Sequence, residues 1–220
     1  GESFIMKIIA YVPIKMNNER LPGKNTKLLG EKPLIQYILD SLYQVDEIDQ
    51  IYVYCSREEI QNYYKGKATF LKRPTYLDLS TSNFTQIFEQ FMNTIDSDIY
   101  ILAHATAPFI QASTIKTCIE AVKSGKYDSA FTATEIQDYL WQNGTPLNFD
   151  AANLPRSQDL NPIYRETSGI YVFRKEVFRN LKRRIGEHPF IKVLTMKEAV
   201  DINVPEDMKM AELFLKQENE

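Results

Sequence analysis

The sequence predicts an α/β protein with a mostly parallel sheet wrapped by helices. Three observations carry that prediction. Strand-like and helix-like segments alternate from Lys7 to Thr134, the order that lays helices over a parallel sheet. The strand segments are short apolar runs, whereas the helical segments place apolar residues on one face. The chain's 220 residues suit a single domain, 1–220, able to bury a core of its own.

Lys7–Ile14 reads as the first strand. Pro33–Val45 follows as a helix, with Leu34, Ile35, Ile38, Leu42 and Val45 on one face and Pro33 where a first turn tolerates it. Ile51–Cys55 and the shorter Ala68–Leu71 are the next strands, the latter stopped by Arg73-Pro74. Phe84, Ile87, Phe88, Phe91, Met92 and Ile95 keep helical spacing behind the cap candidates Ser80–Asn83. Asp98–Leu102 is the third long strand. The helix around Thr114–Lys123 stops at Gly125, and Tyr127–Thr134 is again a strand. From Ile136 to Pro162 the pattern dissolves into prolines and turns, with Asn143-Gly144 as a hairpin signal. Gly169–Phe173 returns to strand, Val177–Arg184 to a short helix, and Val200–Ile202 is expected as the last strand. Pro205, Glu206 and Asp207 open a terminal helix to about Gln217. The irregular stretch, 136–170, is expected to be an arm inserted from the main sheet.

Composition is that of an ordinary globular chain, 44% hydrophobic and 25% charged, with a net charge of −3. Anionic ligands must then be met by local basic clusters, and a nucleic-acid surface is not expected. No apolar run nears the roughly 20 residues that span a bilayer, so no membrane partner is expected either. Gly1–Ile5 is too short for a secretory signal; Met6 is expected as the native start, behind an artificial remnant. Cys55 and Cys118 fall at a strand end and on an apolar helix face. Buried thiols in a reducing cytoplasm fit them better than a disulfide. Two cysteines and two separated histidines also argue against zinc.

The chemistry starts where the first strand runs into Lys15-Met16-Asn17-Asn18-Glu19-Arg20-Leu21-Pro22-Gly23-Lys24-Asn25. Lys15, Arg20 and Lys24 collect at the C-terminal edge of that strand, the edge where open α/β sheets bind ligands. Converging cations suit a polyphosphate such as a nucleoside triphosphate, although the cluster alone also fits a solvated basic turn. Gly23-Lys24-Asn25 lacks the hydroxyl of a Walker loop, and no Gly-x-Gly-x-x-Gly is present there.

The run Arg20-Leu21-Pro22-Gly23-Lys24-Asn25 resembles the signature loop of the sugar-acid cytidylyltransferases, which make CMP-sialic acid and CMP-KDO. The resemblance continues in order along nearly the whole chain. Arg73-Pro74 followed by Ser80-Thr81-Ser82 is similar to the family's cytosine-reading segment. His104-Ala105-Thr106-Ala107-Pro108 looks like its Gln-Pro-Thr-Ser-Pro loop, with His104 in place of Gln. Arg156-Ser157-Gln158-Asp159 and Tyr164-Arg165-Glu166-Thr167-Ser168-Gly169 resemble its Arg-x-Gln-Asp and Asn-Gly-Ala segments. Asp201-Ile202-Asn203-Val204-Pro205-Glu206-Asp207 is similar to Asp-Ile-Asp-Thr-Pro-Glu-Asp.

The resemblance implies a three-layer Rossmann-like nucleotidyltransferase fold with a small dimerisation arm, working as a homodimer. It implies CTP held by Lys15, Asn18, Arg20, Lys24, Asn25, Arg73 and Ser82, with Lys24 and Asp201 as the catalytic pair. It also implies a sugar acid, sialic-acid-like, held by His104, Thr106, Arg156, Gln158 and Arg165, where guanidinium forks suit the carboxylate. Magnesium would sit on Asp201 and Asn203, which alternation along a strand would put on one face. The chain departs from the pattern at Lys15 (usually Arg), at Glu19 (often Lys), at Thr167-Ser168-Gly169, and at Asn203, where the family has its principal carboxylate. Two other readings stand beside this one: a nucleotidyltransferase of the same fold with another base or sugar, or a binding protein that has lost turnover.

Overall fold

The computed structural model describes residues 5–219, so most of the expected remnant at 1–5 lies outside the described residues. Seven strands form the central sheet in the order β11-β7-β10-β6-β1-β4-β5. They are β1 (Ile8–Ile14), β4 (Gln50–Cys55), β5 (Thr69–Lys72), β6 (Ile99–Ala103), β7 (Ser129–Ile136), β10 (Ile163–Arg174) and β11 (Pro189–Val193). Only β10 runs against its neighbours, pairing antiparallel with both β6 and β7. Two short ladders lie outside the sheet: β2 (Leu28–Leu29) with β3 (Lys32–Pro33), and β8 (Trp141–Gln142) with β9 (Thr145–Pro146).

Strand alternation sorts the core into two chemically different faces. Ile8, Ala10, Val12 and Ile14 of β1 join Ile51, Val53, Ile99, Ile101, Ile170 and Val172 in an aliphatic layer. Helices α1 (Leu34–Tyr43) and α3 (Ala112–Lys123) cover that face with Ile35, Ile38, Leu39, Ile115, Ile119 and Val122. The intervening residues Tyr11, Tyr52, Tyr54, Tyr100, Tyr171 and Phe173 line the opposite face. There α2 (Phe84–Thr94) and α4 (Lys175–Leu181) add Phe88, Phe91, Val177 and Phe178. Phe88 is the hub, 4.8 Å from the Tyr100 ring, 5.0 Å from Phe173 and 4.7 Å from Phe178, all edge-on. A third cluster of Leu21, Leu29, Leu34, Ile202 and Ala211 seats α5 (Pro205–Glu218).

Local signals set the ends of several elements. Asn83 closes a capping box on α2: its side chain accepts from Gln86 N at 3.1 Å, and Gln86 Oε1 accepts from Asn83 N at 3.0 Å. Gly125 takes φ +81° just past α3, and Asn143 (φ +52°) with Gly144 (φ +76°) makes the tight β8–β9 turn. Cys55 and Cys118 are free and buried, as expected.

Three expectations need correction, and one strand was not expected at all. Val200–Ile202 is not a strand: it has no ladder partner, and the Ile202 N–H donates alone to the Thr106 carbonyl at 2.8 Å. Its side chain is drawn under α5, and the edge place is taken by β11 beside β7. β11 itself escapes the sequence reading because it opens on Pro189 and is half-buried without clear alternation, both features of an edge. The helix expected at Val177–Arg184 is α4, which begins at Lys175 and ends at Leu181, where Lys182 caps it in the left-handed conformation at φ +56°. Finally, β10 begins at Ile163, so the chain outside the sheet spans 137–162, which matches the stretch Ile136–Pro162 where the pattern dissolves but is shorter than the 136–170 expected for the arm. That excursion carries the exposed Trp141, Leu147 and Leu154.

Candidate active site

The loop after β1 is folded tightly by its own polar side chains. The Lys15 carbonyl accepts from Asn18 Nδ2 and Asn25 Nδ2, each at 3.0 Å. Gly23 supplies a left-handed residue at φ +67°, and Thr26 Oγ1 donates back to its carbonyl at 3.0 Å. Asn25 is buried, so Asn18 and Asn25 shape the loop with the same amides a ligand would otherwise meet. Lys15 and Lys24 are left half-buried and Arg20 exposed. Burial lowers the Lys24 pKa, and Asp201 and Asp207 nearby push it back up while Arg20 lowers it further.

Those four charges meet because the segment before α5 crosses the end of the loop. Arg20 Nη2 reaches Asn203 Oδ1 at 3.5 Å, and Asn203 Nδ2 donates to Asp201 Oδ2 at 2.7 Å. Asp201 Oδ1 is the one buried side-chain polar atom among the described residues with no partner. Asp207 Oδ2 accepts the N–H groups of Asn203 (2.8 Å) and Val204 (3.0 Å) and so starts α5, the helix-start role its sequence position suggests.

Two clefts open beside the loop. One, of about 240 Å³, is lined by Lys15, Arg20, Lys24 and Asn203 among others. The other, of about 430 Å³, runs from Lys15 and Asn18 across to Arg57, Asp78 and Ser80 beyond β4 and β5. Arg73 does not line either. It is 3% exposed, with Nε and Nη2 on Asp78 Oδ1 at 3.2 and 2.9 Å, while Ser56 Oγ donates to the other Asp78 oxygen. Ser82 Oγ donates to the Tyr76 carbonyl at 2.7 Å. Arg73 therefore builds the wall from behind, Ser82 lines neither cleft, and it is Leu79 and Ser80 that face the longer one.

On the other side of β1, the loop after β6 meets a bulge in β10 between Glu166 and Tyr171. The His104 N–H donates to the Gly169 carbonyl at 3.1 Å, and His104 Nδ1 is bonded to the Ser168 carbonyl. Gly169 leaves room for Ile110 here: a Cβ would lie 2.9 Å from Ile110 Cδ1, so that side chain would have to shift. Burial lowers the His104 pKa, the Ser168 carbonyl opposes it, and Arg184, Asp201 and Lys24 act from further off. Thr106 accepts the Ile202 N–H through its carbonyl, which ties this loop to the Asp201 segment.

A larger cavity of about 810 Å³ lies past Asp201 and Asn203, with Arg165, Thr134 and Glu135 on its sheet side and Met196 and Met210 on its rim. Arg165 Nε donates to Thr134 Oγ1 at 3.2 Å. Arg156 and Gln158 are exposed on the excursion and do not line this cavity; Arg156 is paired with Asp159 at 2.8 Å. The residues that the sequence reading missed are Arg57, Asp78 and Ser168. Asp78, a carboxylate shortly after an arginine that turns out to be buried, had a legible signal; a carbonyl such as that of Ser168 has none.

The model of the family described as "Cytidylyltransferase" matches residues 9–219. Among similar sequences, a 3-deoxy-manno-octulosonate cytidylyltransferase of Acaryochloris marina is 23% identical over 96% of this chain and 98% of its own. A pseudaminic acid cytidylyltransferase of Campylobacter jejuni is 25% identical over 98% of this chain and 99% of its own. A solved CMP:2-keto-3-deoxy-manno-octonic acid synthetase, complexed with CTP, superposes with a TM-score of 0.73 at 19% identity, over 96% of this chain and 99% of that one.

Proposed function

The chain belongs to the cytidylyltransferase family, and from that premise we propose that it transfers CMP from CTP to an acidic keto-sugar, a sialic-acid-like nonulosonic acid, releasing pyrophosphate. The observation that carries the reading is Lys15, Arg20 and Lys24 gathered around one cleft at the end of β1, with Asp201, one of whose oxygens has no partner, close enough to Lys24 to raise its pKa. Lys24 and Arg20 would hold the phosphates in the smaller cleft, and the cytosine would lie toward Ser80 and Asp78 in the longer one. The sugar acid would enter from the 810 Å³ cavity, its carboxylate on Arg165 and its anomeric hydroxyl toward the α-phosphorus. Thr106 and His104 would close the sugar side, and no covalent enzyme intermediate is needed.

Among the described residues no three His, Cys, Asp or Glu side chains cluster as a metal cage. Magnesium does not need one, because it takes one or two carboxylates and fills its shell with phosphate and water. An unpartnered carboxylate oxygen beside phosphate-binding cations fits that donor set, so Asp201 would hold the ion, with the Asn203 carbonyl as a second donor after its amide turns. Bound there, magnesium would neutralise charge on the phosphates. Exposed Trp141, Leu147 and Leu154 support the excursion 137–162 as a homodimerisation arm, and a cytoplasmic location agrees with two free thiols.

One observation favours a binding protein without turnover: the Asn203 amide already satisfies Asp201 Oδ2, where a second carboxylate would demand a cation. The experiment that separates the readings is pyrophosphate release from CTP and magnesium across a panel of nonulosonic acids and KDO, with UTP and sugar-free controls. Release that needs both CTP and one sugar acid is the expected result. Silence in protein that binds CTP by calorimetry favours the binding protein, and absence of CTP binding refutes the nucleotide assignment.

A further inference from the structure

His104 and Ser168 occupy two of the positions where the chain departs from the family pattern it resembles, and the structure joins them. A carbonyl oxygen can only accept, so the His104 Nδ1 that meets the Ser168 carbonyl must carry the hydrogen. The neutral ring then has its lone pair on Nε2. Among the described residues Nε2 has no protein hydrogen-bond partner. The ring is braced edge-on to Tyr171 at 6.3 Å and its backbone is pinned to Gly169, which leaves little freedom to turn.

We infer that His104 Nε2 accepts the proton of the attacking sugar hydroxyl, making His104 a catalytic base for the proposed transfer. The inference rests on that proposed reading. The hydroxyl proton passes to Nε2 and gives an imidazolium; the freed oxygen lone pair forms the new bond to the α-phosphorus. The bond from that phosphorus to the bridging oxygen breaks, and its electron pair leaves with pyrophosphate. The imidazolium then returns its proton to solvent. The groups around the ring suit this task. Tyr171 packs on it from β10, Arg184 follows α4, Lys24 stands in the β1 loop and Asp201 in the segment before α5. Burial keeps the ring neutral below the ordinary histidine value of about 6.5, with Arg184 and Lys24 disfavouring the imidazolium and Asp201 and the Ser168 carbonyl favouring it.

Two measurements test it. The chain has two histidines, so long-range proton–nitrogen correlation of the whole protein, with His104→Gln to assign the signals, reads the tautomer directly. A pyrrole-like Nδ1 and pyridine-like Nε2 at neutral pH are expected; the opposite tautomer overturns the proposal without touching the nucleotidyltransferase reading. With a sugar acid found active, His104→Gln should lower kcat about 100-fold or more and leave KM for CTP near its original value. Gln keeps a donor for the Ser168 carbonyl but cannot take a proton. The acid limb of the pH–kcat curve should lose the step that belongs to the His104 ring. Full kcat with an unchanged acid limb in His104→Gln overturns the proposal. A silent wild-type enzyme overturns the reading on which it rests.

Discussion

An unpartnered carboxylate oxygen in a protein interior is costly, and Asp201 keeps one while its other oxygen is held by Asn203. Removing that amide donor should expose what Asp201 is for. In Asn203→Asp two carboxylates would face each other, which divalent cations relieve and their absence aggravates. Calorimetry should then find magnesium binding tighter by about tenfold, the effect of an added ligand charge in partly screened surroundings. The same variant should melt lower in EDTA than the parent does. Equal magnesium affinity and equal melting in EDTA would mean that the Asp201 oxygen does not face a cation site. Arg20 is also part of this arrangement, since its guanidinium meets the Asn203 carbonyl that a second carboxylate would replace.

Elements whose ends are written in side chains were legible in the sequence. Asn83 lies in the run read as an N-cap, and the structure uses its amide with Gln86 to start α2. Asn83→Ala should destabilise the protein by about 1 kcal/mol, seen as a lower urea midpoint at unchanged slope. No change in midpoint would mean that packing alone holds this end. The strands β1, β4 and β6 and the helices α1 and α3 were legible for a similar reason: both faces of each strand are apolar, and each helix shows one apolar face. What remained illegible depends on partners distant in sequence or on backbone atoms. Ile202 reads as strand because it is apolar and flanked by Val200 and Val204, but α5 claims its side chain. Arg73 reads as a ligand contact until Asp78 is seen to hold it. The bulge at Thr167–Gly169 gives no apolar signal, yet its carbonyls fix His104.

The whole molecule divides into an aliphatic layer under α1 and α3 and an aromatic layer under α2 and α4. Aromatic packing of this kind is directional, so a void at its hub cannot be refilled by sliding neighbours. Phe88→Ala should cost about 3–5 kcal/mol in urea unfolding, near the upper end for single substitutions. A loss below about 1 kcal/mol would mean that the ring cluster collapses freely. The division has a further, optical consequence. Thirteen tyrosines include the buried Tyr11, Tyr52, Tyr54, Tyr100 and Tyr171 of the aromatic layer, but the single tryptophan, Trp141, sits 60% exposed on the β8–β9 hairpin beside Phe149. Emission excited at the red edge therefore comes from the excursion alone, and near-ultraviolet tyrosine dichroism comes largely from the core. If the excursion mediates a homodimer, tryptophan emission should shift to the blue as protein concentration rises through the association range, with the tyrosine signal unchanged. Emission that stays fixed while sedimentation shows association would assign the dimer contact elsewhere. The protein thus carries separate native dyes for its assembly and for its fold.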